Sequence, residues 1–278
     1  MALVQSRIAQ TGGAGSVSAP RTLPRWVRGP AFRAIVLPTV TALLLILLWE
    51  LAVRLLNVPA VLLPAPSAIM KRLIELFFPL ILQHAIPTIT ESVVAFAISS
   101  VLGVMLAGIL SSSALVRDAL YPNVVFFQLI PKIALAPLFI VWLGIGSESR
   151  VTFSIFISFF PVVVATLAGL DNVDRELLRL CKALRASEWQ IFRDVRAPFA
   201  IPYMFSGMKI ATTFAIIGII VGEFVTSQAG LGYLILFASA QAETELIFAA
   251  IVVLCAFGLI FYGLVAFAES YLRKRLGA

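Results

Sequence analysis

The chain of 278 residues is 61% hydrophobic and 13% charged, with a formal net charge of +7 and a mean hydropathy of +1.03. A soluble domain carries roughly 45–50% apolar and about 25% charged residues, so a water-soluble core is excluded. The basic balance does not point to nucleic acid, because no basic stretch outside the apolar blocks is interleaved with aromatics. Cys181 and Cys255 have neither metal-ligand spacing nor a second pair, and no disulfide is expected.

Residues 1–34 are polar, small and Arg-containing, with no acid before Glu50. They read as a cytoplasmic tail, although an organelle transit peptide shares that composition. Residues 35–278 read as one membrane domain. Its six apolar blocks run over roughly 35–56, 88–110, 119–142, 150–170, 203–225 and 247–270. Each meets the length of about 20 apolar residues that a spanning helix needs. The first is longer than the core of a secretory signal and is read as a retained helix. Continuous apolar runs are not the alternating strands of a membrane barrel. A spanning segment must satisfy its own backbone, so the blocks are helices and the fold is all-α with about six transmembrane helices.

Between the first two blocks, residues 57–87 contain Leu-Pro-Ala-Pro-Ser (63–67). Residues before proline avoid the helical region, so this run is extended or turned, and Ser67 is placed to cap a short helix. Ile69, Leu73, Leu76 and Leu80 fall near one face, with Lys71, Arg72 and Glu75 elsewhere, the pattern of an interfacial helix.

Residues 171–202 form the one long polar stretch between blocks. Asp171, Asn172 and Asp174 are helix-start residues, and Leu177, Cys181 and Leu184 recur at i, i+4 and i+7 with Leu180 beside them. Ser187 and Gln190 match a capping box that opens a second helix, whose apolar face continues through Trp189, Phe192 and Val195. Pro198 and Pro202 are read as punctuating its end. The expected path is helix, tight turn, helix, then the fifth span. From periodicity alone, a docking element and a linker packed only on its own protein fit equally.

Lys and Arg set the orientation. With six spans, one side holds Arg7, Arg21, Arg25, Arg28, Arg33, Arg117, the cluster Arg175, Arg179, Lys182, Arg185, Arg193 and Arg196, and Arg273, Lys274 and Arg275. The other side holds Arg54, Lys71, Arg72 and Arg150. This bias predicts that both termini and residues 171–202 are cytoplasmic.

No G-x-x-x-x-G-K-[ST] phosphate loop is present, so the chain does not hold ATP in that way. The only histidine, His84, lacks metal partners and reads as a boundary residue without a special role. Ionisable residues inside a membrane are costly and are functional candidates, and three are singled out: Glu50, Lys132 and Glu223. Glu50 and Glu223 lie near the outer ends of the first and fifth spans, where they face either a solute path or the interface. Lys132 stands between Pro131 and Pro137. Two prolines free backbone carbonyls, which is tolerated beside protein or a water cavity. A cation there either attracts an anionic solute or snorkels to the surface. Gly103 with Gly108, and Gly218 with Gly222 in a G-x-x-x-G pattern, permit close helix approach.

Four stretches in order carry a family likeness: Leu-Pro-Ala-Pro-Ser (63–67); Pro-Lys-Ile-Ala-Leu-Ala-Pro-Leu (131–138) with Trp-Leu-Gly-Ile-Gly (142–146); the segment 177–210; and Gly-Glu-Phe-Val (222–225) with Ala-Gly-Leu-Gly-Tyr-Leu-Ile (229–235). Together they resemble the permease subunits of binding-protein-dependent ABC importers of the nitrate, sulfonate and taurine class. The family's cytoplasmic coupling loop runs Glu-Ala-Ala, three residues, then Gly, and later a Leu-Pro or similar pair. Here Arg179, Leu180 and Cys181 occupy the triplet, Arg185 the glycine position, and Ala197-Pro198 the later pair.

The resemblance implies a methionine-importer-like fold and a path for a small anionic or heteroaromatic solute across the bacterial inner membrane. It implies a homodimer, two ATPase subunits that bind ATP and Mg, and an external solute-binding protein. The chain itself is expected to be no enzyme and to hold no cofactor or metal. Leu177, Arg179, Leu180, Cys181, Leu184, Arg185, Ser187, Trp189 and Phe192 are the expected contacts to the ATPase. The alternative is a secondary transporter driven by an ion gradient, which calls for midplane charges and inverted repeats. A membrane enzyme or scaffold is the third class, and no catalytic cluster supports the enzyme.

Overall fold

The computed structural model describes residues 36–226 and 228–276, and the tail expected over 1–34 lies outside them. The α-helices are α1 (Leu37–Leu55), α2 (Pro66–Leu76), α3 (Leu82–Ser112), α4 (Ala114–Leu129), α5 (Ala136–Leu143), α6 (Ser147–Asp171), α7 (Arg175–Ala183), α8 (Glu188–Ile191), α9 (Ala197–Thr226), α10 (Leu231–Ala240) and α11 (Thr244–Leu276). Five helical stretches are long and apolar enough to span a membrane, and a bent pair formed by α4 and residues 132–143 makes a sixth. The chain divides into two units at Leu55 and Leu56. In the first, α1 is apolar apart from two threonines and the paired Glu50 and Arg54, and it exposes its leucines, with Val53 alone buried, as befits a helix surrounded by lipid.

In the second unit the centre is α6 against α9, flanked by α3. Half of the apolar window of α6 is buried, against 22% for α11, which identifies α6 as the central helix. Small residues set the distance between the two helices. A Cβ at Gly218 would lie 2.6 Å from the Cα of Ser154, and one at Gly222 would lie 2.7 Å from the Cγ of Arg150. The G-x-x-x-G pair of α9 thus meets residues at the same four-residue spacing on α6. Ser154 Oγ donates to the Ala215 carbonyl at 2.7 Å across this contact. Of the other glycine pair, Gly103 is pressed against Val162 while Gly108 faces open space. Apolar packing extends outward from this seam, with Leu110, Phe160, Val163 and Leu167 on one side and Phe205, Ile216 and Phe261 on another.

Prolines shape the remaining helices. The third apolar block, expected as one span, is broken: α4 and the segment Lys132–Leu143 meet at 86°. Ile130 is extended (φ −62°, ψ 136°), as the residue before Pro131 should be, and the missing amide of Pro131 ends the ladder. A 3-10 turn, Lys132–Leu135, then leads into α5, with Pro137 in its first turn, where no amide is needed.

The short helix after Leu-Pro-Ala-Pro-Ser also differs from expectation. Extended Ala65 is its N-cap and Pro66 opens it, so Ser67 is not the cap. It does not stand alone at a surface either. It runs on through a π turn, Phe77–Ile81, into α3, giving one helical stretch over Pro66–Ser112. Pro79 sits within that turn, where the ladder widens to i→i+5. α2 packs on α11, and Arg72 pairs with Glu243 at 3.1 Å.

The tightness of the α6–α9 seam is testable. The Gly218→Val change places a side chain against backbone that has nowhere to go, whereas Gly108→Ala fills open space. Gly218→Val should destabilise by about 1–3 kcal/mol, the usual scale of overpacking. Gly108→Ala should be neutral or slightly stabilising. Thermal unfolding of the detergent-solubilised protein, followed by size-exclusion chromatography, measures both, and equal melting of the two variants would contradict the packing.

Candidate functional site

The segment 171–202 folds as two short helices and a turn. Asp174 caps α7 by accepting the Glu176 amide on Oδ1 at 2.8 Å. The turn closes with Ala186 N–H on the Cys181 carbonyl at 3.0 Å. Arg185 takes a left-handed conformation there, φ +59°, at a cost of about 1–2 kcal/mol. The capping box forms: Gln190 N–H donates to Ser187 Oγ at 3.2 Å and Ser187 N–H to Gln190 Oε1 at 2.8 Å. Pro198 and Pro202 do not end this helix. A π turn over Phe192–Arg196 carries α8 directly into α9, with the Ala197 amide bonded to the Phe192 carbonyl. The wider turn spares the ladder the amide that Pro198 lacks.

Buried Ile191 anchors the loop to the bundle. Its other apolar groups face outward: Leu177 is 43% exposed, Leu180 56%, Leu184 74% and Trp189 66%. Trp189 stacks on Phe192 with ring centroids 5.8 Å apart. Cys181 is half-buried and a free thiol. Arg179 and Arg185 are exposed beside these groups, and Lys182 pairs with Glu188 at 3.1 Å. At the rear, Arg117 pairs with Asp171 at 2.6 Å, tying α4 to the end of α6.

Lys132 lies at the 86° break and lines a cavity of about 320 Å3 with Gln128, Phe160, Pro161 and Phe214 among its walls. Its Nζ donates to the Gln128 carbonyl at 2.7 Å, one of the four that the end of α4 leaves without a helical partner. The ammonium also stands 5.2 Å from the centre of the Phe160 ring, within cation–π range. Among the described residues no carboxylate pairs with it.

The other two singled-out acids are engaged. Glu50 accepts Arg54 Nε at 2.6 Å on its own helix. Glu223 is buried, so of the two readings open to it, a solute path or the interface, the interface does not hold. Its Oε1 accepts the Thr88 hydroxyl at 2.7 Å and its Oε2 accepts the Gly232 amide at 2.7 Å. Thr88 Oγ1 accepts the Leu231 amide at 2.8 Å, and His84 Nδ1 accepts the Gly230 amide at 3.1 Å. His84 therefore has a structural task that its solitary place in the sequence did not show.

Three further charges, Glu91, Lys209 and Glu269, lie inside apolar blocks, and Arg150 stands at the outer edge of another. Arg150 binds Glu91 through two bonds of 2.9 and 2.5 Å, both side chains nearly buried. Lys209 pairs with Glu269 at 2.5 Å. Their place within the blocks is the signal that the sequence carries for Glu91, Lys209 and Glu269. Their partners lie too far along the chain for sequence spacing to pair them.

Comparison with known proteins places the chain. Residues 99–274 match the family described as "Binding-protein-dependent transport system inner membrane component". The formylaminopyrimidine transport permease protein ThiX of Halalkalibacterium halodurans is 33% identical over 84% of this chain and 94% of its own length. The taurine transport system permease protein TauC of Escherichia coli is 25% identical over 83% of this chain and 86% of its own. A chain of the MetNI methionine ABC transporter, in an inward-facing structure, superposes with a TM-score of 0.54 at 19% identity, covering 68% of this chain and 94% of that one. The last likeness bears on fold alone, and it agrees with the methionine-importer-like arrangement. The family match sets aside the ion-gradient and enzyme alternatives. The chain belongs to the family of binding-protein-dependent inner-membrane transport components, and it is a multi-pass permease subunit of an ABC importer.

Proposed function

We propose that this permease pairs with a second copy of itself in the bacterial inner membrane and moves a small anionic or heteroaromatic solute inward. An external binding protein delivers the solute, and two ATPase subunits, which carry the ATP and Mg, dock on residues 171–202. The observation that carries this reading is the outward apolar face of that loop, Leu177, Leu180, Leu184 and Trp189, on a chain that has no phosphate loop of its own. Exposed leucine and tryptophan at the end of a folded, capped element are the kind of anchors that an interface buries. Cys181 and Phe192 continue the face, and Arg179 and Arg185 supply charge at its rim. Ser187 holds the second helix in register. The relatives named above are named for formylaminopyrimidine and for taurine, which is why both solute chemistries stay in the proposal.

The coupling assignment predicts that Leu184→Asp or Trp189→Asp leaves the permease inserted and folded but releases the ATPase. A truncated interface anchor costs about 2 kcal/mol or more, roughly thirty-fold in affinity. Co-purification of a tagged ATPase with the solubilised permease measures it, and full retention by both mutants would remove the loop as the docking element.

For the solute path the reading relies on Lys132, whose cavity opens between α4, α6 and α9. Glu50 and Glu223 are left out of that path because their carboxylates are already engaged. Lys132→Leu should lower uptake of an anionic solute while expression is unchanged. Full uptake at limiting solute would reduce Lys132 to a cap on α4.

The Lys and Arg bias places both termini and the loop in the cytoplasm. Single cysteines at positions 20, 180 and 275, in a chain without Cys181 and Cys255, should resist an impermeant thiol reagent in whole cells. Labelling of position 180 from outside would overturn the orientation and the docking together.

A further inference from the structure

α10 is ten residues long, about 15 Å of helix, half of what a bilayer core requires. It lies beyond the end of α9 that is remote from the 171–202 loop, which is the outer side in the orientation proposed above. A helix start leaves amides in need of acceptors, and a polar N-cap side chain normally supplies one. Here the N-cap is Gly230, with φ +114°, and it has no side chain to offer. Three consecutive amides, of Gly230, Leu231 and Gly232, are instead taken by His84, Thr88 and Glu223. His84 and Thr88 sit one turn apart on α3, and Glu223 sits on α9. The carboxylate also meets the positive end of the α10 dipole. Side chains at Gly230 or Gly232 would collide with the Glu223 carboxylate. The inner face of α10, Leu231, Leu234 and Ala238, is buried, whereas Leu236 and Phe237 are exposed.

We propose that His84, Thr88 and Glu223 form a latch that positions α10 at the outer end of the bundle, and that the His84 contact opens when the outside medium turns acidic. A ring nitrogen that accepts from an amide must carry a lone pair, so the imidazole in this contact is neutral with its hydrogen on Nε2. Protonation puts a hydrogen on Nδ1, directly against the Gly230 N–H, and two donors then face each other. The groups around the ring do not compensate for the new charge. Tyr233 of α10 lies alongside, with ring centroids 5.7 Å apart. Glu223 of α9 lies across Gly230 from the ring, and its two oxygens accept the Thr88 hydroxyl and the Gly232 amide. Glu91, two turns along α3, is held by Arg150 of α6. Because the proton binds the released arrangement better than the held one, the contact is present above the midpoint of the imidazole and lost below it.

The inference rests on the proposed orientation only for which side supplies the proton. Its test needs no solute and no transport, so its outcome is separate from the docking and uptake results. Hydrogen exchange of residues 229–236 is read by mass spectrometry on the full permease with its ATPase. Measurements are made about one unit above and one unit below the ordinary imidazole midpoint of about 6.5, with rates corrected for intrinsic exchange. In the unmodified chain, exchange at Gly230, the amide that His84 holds, should speed up roughly five-fold on the acid side, the worth of one such bond. His84→Asn puts a carbonyl oxygen where Nδ1 stands and does not titrate, so it should keep the same protection at both values. Thr88→Val removes an acceptor and should raise exchange at both; if it does not fold, the comparison of His84 with Asn still decides. Equal protection of the unmodified chain at both values, or an acid-side loss shared by His84→Asn, overturns the proposal.

Discussion

A helix that stops within a bilayer leaves amides or carbonyls with no water to receive them, so every interruption must be closed from inside the protein. The second unit contains several interruptions, and three devices close them. At the end of α4 the Lys132 ammonium takes a freed carbonyl. At the start of α10 three side chains take three amides. At Pro79 and before Pro198 the ladder widens by one residue and continues. This constraint explains why Lys132, His84, Thr88 and Glu223 stand where a helix breaks or begins. It also decides which of them are free for other work. Each oxygen of Glu223 accepts one backbone or hydroxyl donor, while Lys132 lines a cavity.

The same cost of isolated charge explains the ion pairs. Breaking a buried pair leaves one charge uncompensated, which is why such pairs persist even where their net contribution is small. Arg150 with Glu91 joins α6 to α3, and Lys209 with Glu269 joins α9 to α11. Both pairs therefore tie neighbouring helices to the α6–α9 centre, and Lys209 also lines a cavity with Ser206, Thr213 and Tyr262. Lys132 differs, since a ring face and a carbonyl are its partners. That incomplete neutralisation is the physical basis for reading its cavity as suited to an anion.

Much of this was legible in the sequence because it rests on local rules. The apolar blocks gave the spanning helices, Ser187 and Gln190 gave the capping box, and the glycine position of the family loop anticipated the left-handed Arg185. The prolines were legible in kind but not in effect. Pro131 broke a span that its block length had made continuous, whereas Pro198 and Pro202 broke nothing, because a π turn absorbed the first and the helix interior tolerated the second. The polar contacts were the least legible. His84 looks idle until Gly230, 146 residues later, is brought to it. Glu223 looks like a boundary acid until Thr88 and Gly232 surround it. Both depend on long-range packing of small residues that no periodicity reveals.

These features meet on one element. Glu188 to Val225 form a single helical stretch of 38 residues, roughly 55 Å long. Trp189 lies at one end and Glu223 at the other. The proposed docking surface and the anchor of α10 are therefore the two ends of one rod, with the Phe192–Arg196 turn and Pro202 as its points of give near the docking end. Beyond Pro202 the rod is pressed against α6 by Gly207, Gly218 and Gly222, so this part is braced along most of its length. A tilt imposed at the loop must either bend the rod at those two places or move the α6–α9 pair as a unit. In the second case the movement reaches Glu223 undiminished and carries the start of α10 with it. Discrete rearrangement of braced elements, rather than continuous flexing, is how packed interiors respond to such a displacement.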